Sequence, residues 1–352
     1  MSAADSQPSH AAALASRDAA VTPTSAQPRV AAVIIAWNRV DEVVACIESF
    51  ACVQYPNYEI IVIDNASEDA TVPTIRERFP WVTLVVNPQN LGYVGGSNVG
   101  FRHALASGAD YVLLLNQDTK MTPTVLSELV RVLESDPRIA IAGAKNVLME
   151  NAAYTWGKYG KLTWGPLLVR SKGYYELDVP EPSPQDVDWV IGNGCMMKRA
   201  ALERIGFYDE DYFHLEEDVD WSTRARKLGY RVVYVDTAAI LHKGSSSGDG
   251  SKALVFSYAY FLGRNPIVFA QKHATPWLWA KLLVFMTLGL VLRLTWYVVQ
   301  GPLSALYDQL PFVVGMVDGF RGQLRQEQIT IRRGGIVRTD RLNRFLRWIG
   351  AA

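Results

Sequence analysis

The stretch RVAAVIIAWNRVDEVVACIESFACVQYPNYEIIVIDNAS, residues 29–67, decides the fold. It holds a continuous apolar run, then a segment with apolar residues at spacings of three and four, then a second continuous apolar run. The outer patterns are typical of buried strands and the middle one of an amphipathic helix. Two buried strands joined by a helix predict the start of a parallel sheet that is covered on both faces.

The same alternation continues to residue 118. DATVPTIRERF (69–79) and GGSNVGFRHALASG (95–108) indicate helices, whereas VTLVVNPQN (82–90) and DYVLLLNQD (110–118) indicate strands. We therefore predict an α/β fold with a doubly wound, mostly parallel sheet. In such sheets ligands bind at the carboxyl ends of the strands.

Polar residues follow three of the predicted strands where each leaves the core. They are Asn38 after the first, Asp64 and Asn65 after the second, and Asn116, Gln117 and Asp118 after the last. Asn and Asp also stabilise turns and cap helices, so each alone has a structural explanation. Their shared position at one edge of the sheet favours a binding site.

The composition limits the function classes. Of 352 residues 49% are hydrophobic, which supports a large core and excludes disorder of the whole chain. Thirty-five basic residues balance thirty-five acidic ones, so a general polyanion binder is excluded. Cys46, Cys52 and Cys195 lack the spacing of zinc ligands or of a disulfide framework, and we expect free thiols in a reducing compartment.

The chain divides by composition into four parts. We expect a disordered tail rich in Ala, Ser and Pro (1–28), a folded domain (29–252), membrane-associated amphipathic helices (253–320) and a basic tail (321–352).

The segment 277–299 is about as long as a bilayer span, but Lys281 and Arg293 leave only eleven residues between them. This favours an interfacial or re-entrant helix over a spanning one. The stretch from Arg321 to Arg347 holds eight arginines and suits an anionic membrane surface, with a solvated basic helix as the alternative.

Six motifs carry a resemblance to a known family. In order they are VIIAWNR, VIDNASEDAT, NLGYVGGSNVGF, LLLNQDT, GNGCMMKRAALERIGFYDEDYFHLEEDVDWSTRARKLGY and ILHKGSSS. The ordered set resembles family 2 glycosyltransferases, and within them the bacterial rhamnosyltransferase-like branch that builds cell-surface polysaccharides. The resemblance covers about residues 29–270. It implies a Rossmann-like GT-A fold, a nucleotide-sugar donor, Mg²⁺ or Mn²⁺, and inversion at the anomeric carbon.

The resemblance implies a nucleotide-sugar-binding half, residues 29–139, and an acceptor-binding half, residues 140–252. Asp64 matches the base-binding Asp, and its carboxylate can accept the N3–H of uracil or thymine. NLGYVGGSN resembles the donor loop, in which glycines let backbone approach a ligand. The expected donor-binding residues are Asn38, Asp64, Asn65, Gly95, Gly96, Asn116 and Gln117. Asp69 in the same region has helix capping as its alternative role.

NQD stands where the family often has Asp-x-Asp. Asp118 corresponds to the second carboxylate, which is expected to bind the cation, and Asn116 replaces the first. The site therefore needs other ligands, and His242 in ILHKG matches a family position that ligates the metal. An imidazole among oxygen ligands tilts the choice slightly toward Mn²⁺.

HLEEDVDW supplies the expected catalytic acids. Asp218 is the candidate general base and Glu217 assists it or binds the acceptor; capping of the following helix is the alternative. Trp189, Asn193 and Trp221 are the expected acceptor-binding residues, with core packing as the alternative for both tryptophans.

The leading hypothesis is an inverting, metal-dependent hexosyltransferase, peripheral or monotopic on the cytoplasmic face of the bacterial inner membrane. It would move a sugar, first of all L-rhamnose from dTDP-rhamnose, to a polyprenyl-linked precursor of a surface polysaccharide or O-antigen. The alternatives are a UDP-hexose donor, and a catalytically silent sugar-nucleotide-binding scaffold. No nucleic-acid partner is expected, and the oligomeric state stays open, a homo-oligomer included.

Overall fold

The structure is a computed structural model that describes residues 27–164, 168–244, 252–300, 310–323, 331–332 and 335–336. The predicted disordered tail and basic tail lie almost entirely outside the described residues.

Strands and helices alternate through the first half as the sequence predicts, the described residues of 139–198 form strands without helices, and those of 252–320 are mainly helical. The strands are β1 (Val30–Ala36), β2 (Tyr58–Asp64), β3 (Thr83–Val86), β4 (Tyr111–Asn116), β5 (Thr119–Lys120), β6 (Ile139–Leu148), β7 (Tyr154–Gly157), β8 (Tyr159–Leu162), β9 (Val169–Lys172), β10 (Glu176–Leu177), β11 (Gln185–Asp186), β12 (Trp189–Val190), β13 (Cys195–Lys198), β14 (Arg231–His242), β15 (Ile331–Arg332) and β16 (Gly335–Ile336). The helices are α1 (Val40–Ser49), α2 (Thr71–Arg78), α3 (Gly92–Ala106), α4 (Val125–Ser135), α5 (Arg199–Ile205), α6 (Glu217–Lys227), α7 (Lys252–His273), α8 (Pro276–Gln300) and α9 (Leu310–Phe320).

One large mixed sheet organises the domain, in the order β10-β7-β6-β13-β4-β1-β2-β3. The strands β3, β2, β1 and β4 are parallel, and β13 lies antiparallel between β4 and β6. The strand β14 runs parallel to β6 and also pairs with β5. The carboxyl ends of β1, β2, β4, β6 and β14 therefore meet at one edge, called here the carboxyl edge.

Apolar side chains on both faces of this sheet form two buried layers. In β1, Ala32 and Ile34 belong to the layer that packs on α1 and α4, whereas Ala31 and Val33 belong to the layer that packs on α3. Successive side chains of a strand point to opposite faces, so a strand buried on both sides is apolar at every position. The predicted doubly wound, mostly parallel α/β sheet is confirmed.

The C-terminal helices pack on this domain. Gly263 of α7 and Gly315 of α9 lie directly against backbone atoms of the opposite helix, so the two helices approach closely. Leu282 and Met286 of α8 are buried together with Ile267 of α7. Among the described residues, no helix combines the length and the apolar character that crossing a bilayer requires.

Candidate active site

Backbone pairing brings the predicted strand ends together at the carboxyl edge. Ala36 of β1 pairs with Asp64 of β2, and Ile35 pairs with Asn116 of β4. His242, the last residue of β14, pairs with Thr119, the residue that follows Asp118. Residues from four separate segments of the chain therefore line one edge of the sheet.

Asp64 is a fully buried carboxylate at the end of β2. Its Oδ2 accepts a hydrogen bond from the backbone N–H of Ser67 at 3.0 Å, whereas its Oδ1 has no hydrogen-bond partner among the described residues. A buried acceptor without a partner costs about 1–3 kcal/mol, so such an atom fits a donor group supplied by a ligand.

Asn38 and Asn65 shape the loops around Asp64. Asn38 has a positive φ of 55°, and its Oδ1 accepts the backbone N–H of Glu68 at 2.9 Å. The Asn65 Nδ2 donates to the backbone oxygen of Gly92, and its Oδ1 accepts from Asn87. Both side chains connect protein segments, so the structure gives them a supporting role in place of the expected direct donor contact. Asp69 caps α2 through the backbone N–H of Thr71, its alternative role.

The expected glycine-rich donor loop is the beginning of a helix. A Cβ on Gly96 would lie 2.8 Å from the Asn65 Nδ2, and one on Gly95 would lie 2.6 Å from the Cβ of Leu91. The close contact of Gly96 with Asn65 brings α3 against the end of β2, and that of Gly95 with Leu91 lies within the first turn of the helix. The expected donor contacts of Gly95 and Gly96 stay predictions, now placed at the start of a helix.

Gln117 joins the ends of β4 and β1. Its Oε1 accepts the backbone N–H of Trp37 at 2.8 Å, and its Nε2 donates to the backbone oxygen of Trp37 at 3.3 Å. These two hydrogen bonds hold the segment that leads into Asp118 beside the segment that leads into Asn38. Gln117 thus positions neighbouring residues with its own amide.

Asp118 and His242 form the candidate metal pair. The Asp118 Oδ1 lies 3.1 Å from the His242 Nε2, and both side chains are buried. Adjacent ligands of an octahedral ion, each about 2.1 Å from it, stand about 3 Å apart, so the spacing fits a shared cation. The neighbouring Asn116 Oδ1 is buried with no partner among the described residues, which leaves a further oxygen acceptor beside the pair. Within those residues no three His, Cys, Asp or Glu side chains cluster as metal ligands, so water or diphosphate oxygens must complete the shell.

A second group of acids begins α6. Leu215 and Glu216 have φ of 69° and 68°, an uncommon left-handed pair of non-glycine residues that turns the chain sharply before Glu217. The Asp218 Oδ2 accepts the backbone N–H of Gly192 at 2.9 Å, and its Oδ1 accepts that of Val219 at 2.8 Å. The Glu217 Oε2 is buried with no partner among the described residues.

Burial governs the protonation of these acids. It raises the pKa of Asp218 to about 6, against the lowering effect of the hydrogen bonds from Gly192 and Val219. Burial, with the added repulsion of Asp218, raises the pKa of Glu217 to about 8. At neutral pH Asp218 is therefore ionised and able to accept a proton, whereas Glu217 is mostly neutral.

Asn193 connects the two groups of acids. Its Oδ1 accepts the backbone N–H of Asn116 at 2.9 Å and the hydroxyl of Thr119 at 3.0 Å. Its Nδ2 donates one of its two N–H groups to the Asn146 Oδ1, so a contact between Asn193 and the acceptor stays a prediction. Asn193 follows Gly192, the donor to Asp218, so one short loop holds the Asp118 segment and Asp218 together.

The two tryptophans expected at the acceptor are packing residues. Trp221 is fully buried, and its Nε1 donates to the backbone oxygen of Gly206. Trp189 is buried in a cluster with Ile191, Val219 and Phe269. Trp221 is fully enclosed and its Nε1 is already hydrogen-bonded, which contradicts its predicted acceptor role. The buried Nε1 of Trp189 has no partner among the described residues, so the acceptor role of Trp189 stays a prediction.

Sequence reasoning missed a link from α7 to the catalytic acids. The Asn265 Nδ2 donates to the backbone oxygens of His214 and Leu215, both at 2.8 Å. The buried Arg264 donates to the backbone oxygens of Asp211 and Gln323. The helix α7 thus fixes the left-handed turn that precedes Glu217. Arg264 and Asn265 stand in FLGRNP, a segment that resembles a recurring family segment but gives no role from its sequence alone.

A concave surface of about 710 Å³ lies at the opposite edge of the sheet. It is lined by Arg138, Arg231 and the neighbours Asp186 and Asp188. Arg231 pairs with Asp186, and Arg226 pairs with Asp188, so its charges are largely matched. It lies at the beginnings of β6 and β14, away from Asp64, Asp118 and Asp218, and we do not assign the reaction to it.

Replacing Glu217 with Gln should remove the loss of folding stability that ionisation of Glu217 causes at high pH. The raised pKa means that ionisation of Glu217 favours unfolding as the pH rises from its ordinary value, 4.5, to about 8. The stability that the neutral carboxyl contributes is complete below pH 4.5 and is lost above about 8. We expect the variant to match the native protein near pH 4.5 and to exceed its free energy of unfolding by roughly 2–4 kcal/mol near pH 8.5. Urea titrations at both pH values measure this difference, and equal stability at pH 8.5 would contradict it.

Comparison with known proteins identifies the family. A family model described as "Glycosyltransferase like family 2" matches residues 28–256. The chain belongs to glycosyltransferase family 2. It is 29% identical over 213 residues to the N-acetylglucosaminyl-diphospho-decaprenol L-rhamnosyltransferase of Mycobacterium tuberculosis, an alignment that covers 54% of this chain and 68% of the relative. The predicted resemblance to a rhamnosyltransferase-like branch is confirmed, and the chain is a glycosyltransferase.

Solved structures share the fold. The mannosyltransferase PcManGT from Pyrobaculum calidifontis, in complex with GDP-Man and Mn²⁺, has a TM-score of 0.52 at 16% identity, with 90% of this chain and 94% of that chain covered. GalNAc-T7 with UDP, GalNAc and Mn²⁺ has a TM-score of 0.54 at 14% identity, and the match spans 70% of this chain and 50% of that one. The family 2 chain therefore has a GT-A-like α/β fold.

Proposed function

We propose that the protein transfers a hexose, with inversion, from a dTDP- or UDP-activated donor to a polyprenyl-linked glycan, with dTDP-L-rhamnose as the preferred donor. The observation that carries this proposal is the Gly192–Asn193 loop. It bonds the Asp118 segment through Asn193 and bonds Asp218 through Gly192. A cation-binding acid and a separate base, both held by one loop, suit a single displacement.

Asp64 reads the base of the nucleotide. Its unpartnered Oδ1 accepts the N3–H of thymine or uracil, a contact that cytosine lacks because its N3 is an acceptor. The reciprocal pair between Gln117 and Trp37 holds the loop beside it in place.

Asp118 and His242 would hold the divalent cation, with Asn116 beside them. The bound cation neutralises negative charge on the departing diphosphate. Their side chains are buried at the ends of β5 and β14, so the pair is fixed before the donor arrives.

Asp218 is the general base of this proposal. It takes the proton of the acceptor hydroxyl as that oxygen forms a bond to the anomeric carbon. On the opposite face the bond from this carbon to the diphosphate oxygen breaks, and its electron pair leaves with the nucleoside diphosphate. The neutral Glu217 places no second negative charge beside Asp218, which keeps the base ionised near neutral pH.

An apolar face of α8 supports attachment to a membrane surface. Trp277, Val284, Leu288, Val291 and Leu292 recur at helical spacing and are each at least half exposed. They extend over about 22 Å of helix, and the opposite side packs on α7. A polyprenyl acceptor stays in the bilayer, so the enzyme must bind at its surface. Co-sedimentation with anionic vesicles tests this, and an unchanged fraction bound after Leu288→Asp would contradict it.

A donor panel tests the proposed function. Thermal unfolding with Mn²⁺ should show higher midpoints with dTDP-rhamnose and UDP-glucose than with CDP-glucose, because a ligand that binds only the folded state stabilises it. With dTDP-rhamnose the enzyme should then transfer rhamnose to a polyprenyl diphosphate-linked N-acetylglucosamine, and the anomeric configuration of the transferred rhamnose should be inverted. Equal stabilisation by CDP-glucose would contradict the role of Asp64, and retained configuration would contradict the mechanism.

A further inference from the structure

Tyr93 places a buried hydroxyl beside the catalytic acids. Its Oη is enclosed and has no hydrogen-bond partner among the described residues. The ring packs edge to face with His214, which belongs to the segment that leads into α6. No role in the fold accounts for this hydroxyl, and leaving such a group unpaired costs about 1–3 kcal/mol.

Gly192 leaves a space between this hydroxyl and the proposed base. A Cβ on Gly192 would lie 3.4 Å from the Tyr93 Oη, 3.6 Å from the Tyr93 Cε1 and 3.7 Å from the Asp218 Oδ2. The place is therefore the size of one methyl or hydroxyl group. In the native protein the Tyr93 hydroxyl and the Asp218 carboxylate both border it.

The chemistry of the space suits a sugar hydroxyl pair. Burial, together with Cys195 and the carboxylates Glu217, Asp218 and Asp118, raises the pKa of Tyr93 well above its usual value, so the phenol keeps its proton and can donate it. Asp218 accepts hydrogen bonds and Tyr93 donates one. Two neighbouring hydroxyls on one sugar ring complement this arrangement, because one can donate to Asp218 and the other can accept from Tyr93.

We propose that Tyr93, Gly192 and Asp218 form the subsite of the acceptor sugar, in which Tyr93 determines specificity. The attacking hydroxyl donates to Asp218, and Tyr93 donates to the neighbouring hydroxyl of the same ring. Gly192 leaves the place between the two side chains free for a hydroxyl of that ring. This inference rests on the proposed function, because it takes Asp218 as the base of the transfer.

Two small substitutions test the subsite. Tyr93→Phe removes one oxygen, and Gly192→Ala adds one methyl group at a position with ordinary backbone geometry. With short-chain polyprenyl diphosphate-linked N-acetylglucosamine as the probe, Tyr93→Phe should raise the acceptor KM about 5–10-fold and leave kcat within about threefold. Gly192→Ala should raise the acceptor KM at least about tenfold, because the methyl group occupies the place of a sugar hydroxyl between Tyr93 and Asp218. Stabilisation by donor and Mn²⁺ should stay unchanged in both variants.

Matched controls are Tyr154→Phe, an exposed tyrosine of β7, and Gly289→Ala, in α8 with no atom within 4 Å of the added Cβ. Both should keep the native acceptor KM. With a deoxy acceptor that lacks the neighbouring hydroxyl, the acceptor KM of the native enzyme should rise, whereas that of Tyr93→Phe should stay unchanged. Native acceptor KM values in both subsite variants, or a loss of donor binding instead, would overturn the inference and leave the proposed function standing. A native enzyme that transfers no sugar to the probe from either donor would overturn both.

Discussion

Replacing Asp218 with asparagine should lower kcat by about 10²–10⁴-fold, the usual contribution of a positioned general base. Asparagine keeps the shape of the side chain. Its single oxygen can replace the Asp218 Oδ2, which accepts the backbone N–H of Gly192 at 2.9 Å, and the bond from Val219 to Oδ1 is lost. It has no site that takes a proton at neutral pH. Binding of donor and Mn²⁺ should therefore stay native while transfer is lost, which steady-state kinetics and thermal unfolding with donor measure separately.

Asp220→Asn is the matched control, because Asp220 lies in the same acidic run with a different set of partners. It accepts hydrogen bonds from Arg224 at 2.8 Å and lies 2.7 Å from the His273 Nε2. Burial by itself raises the pKa of Asp220, but His273 and Arg224 outweigh it and lower the pKa. This variant should lose stability and keep kcat. If Asp220→Asn removed turnover and Asp218→Asn did not, the base would be misassigned.

Replacing Asp118 with asparagine should abolish the dependence of donor binding on Mn²⁺ and lower kcat/KM by about 10³-fold, which corresponds to about 4 kcal/mol of transition-state stabilisation. The site already has one carboxylate fewer than Asp-x-Asp, since Asn116 replaces the first. Removing the second leaves His242 as the one charged or basic side chain of the pair. Calorimetric titration of Mn²⁺ in the presence of dTDP measures the loss.

Asp110→Asn is the control for this variant, because Asp110 is an exposed carboxylate that precedes β4 at the opposite edge and accepts the backbone N–H of Arg29. It should bind Mn²⁺ and donor as the native protein does. Native Mn²⁺ affinity in Asp118→Asn, with activity retained, would show that the cation is held elsewhere.

The first half of the fold was predictable because its signals are local. The strands β1, β2 and β4 each contain a continuous run of Val, Ile, Leu or Ala that is buried on both faces. The second half depends on pairs that are distant in sequence. Trp189 of β12 pairs with Gly160 of β8 in a small separate sheet, and a two-residue strand has no period to recognise.

The candidate site was predictable where strand ends determine it. Asp64, Asp118 and His242 meet because parallel strands end at the same edge. The structural roles of Trp221 and Asn193 could not be predicted, because a tryptophan in the core and an asparagine in a turn look the same in sequence as ones that bind a ligand. The left-handed turn at Leu215 and Glu216 contains no glycine, so it lacked a turn signal, and only its bonds to Asn265 show how it is held.

The most direct test is the structure of the Asp218→Asn variant with intact dTDP-rhamnose and Mn²⁺. We predict one donor molecule whose thymine contacts Asp64, whose diphosphate shares the cation with Asp118 and His242, and whose anomeric carbon faces residue 218. A donor bound in the groove between Arg138 and Arg231, or an anomeric carbon that faces away from residue 218, would contradict a shared site for the metal and the base.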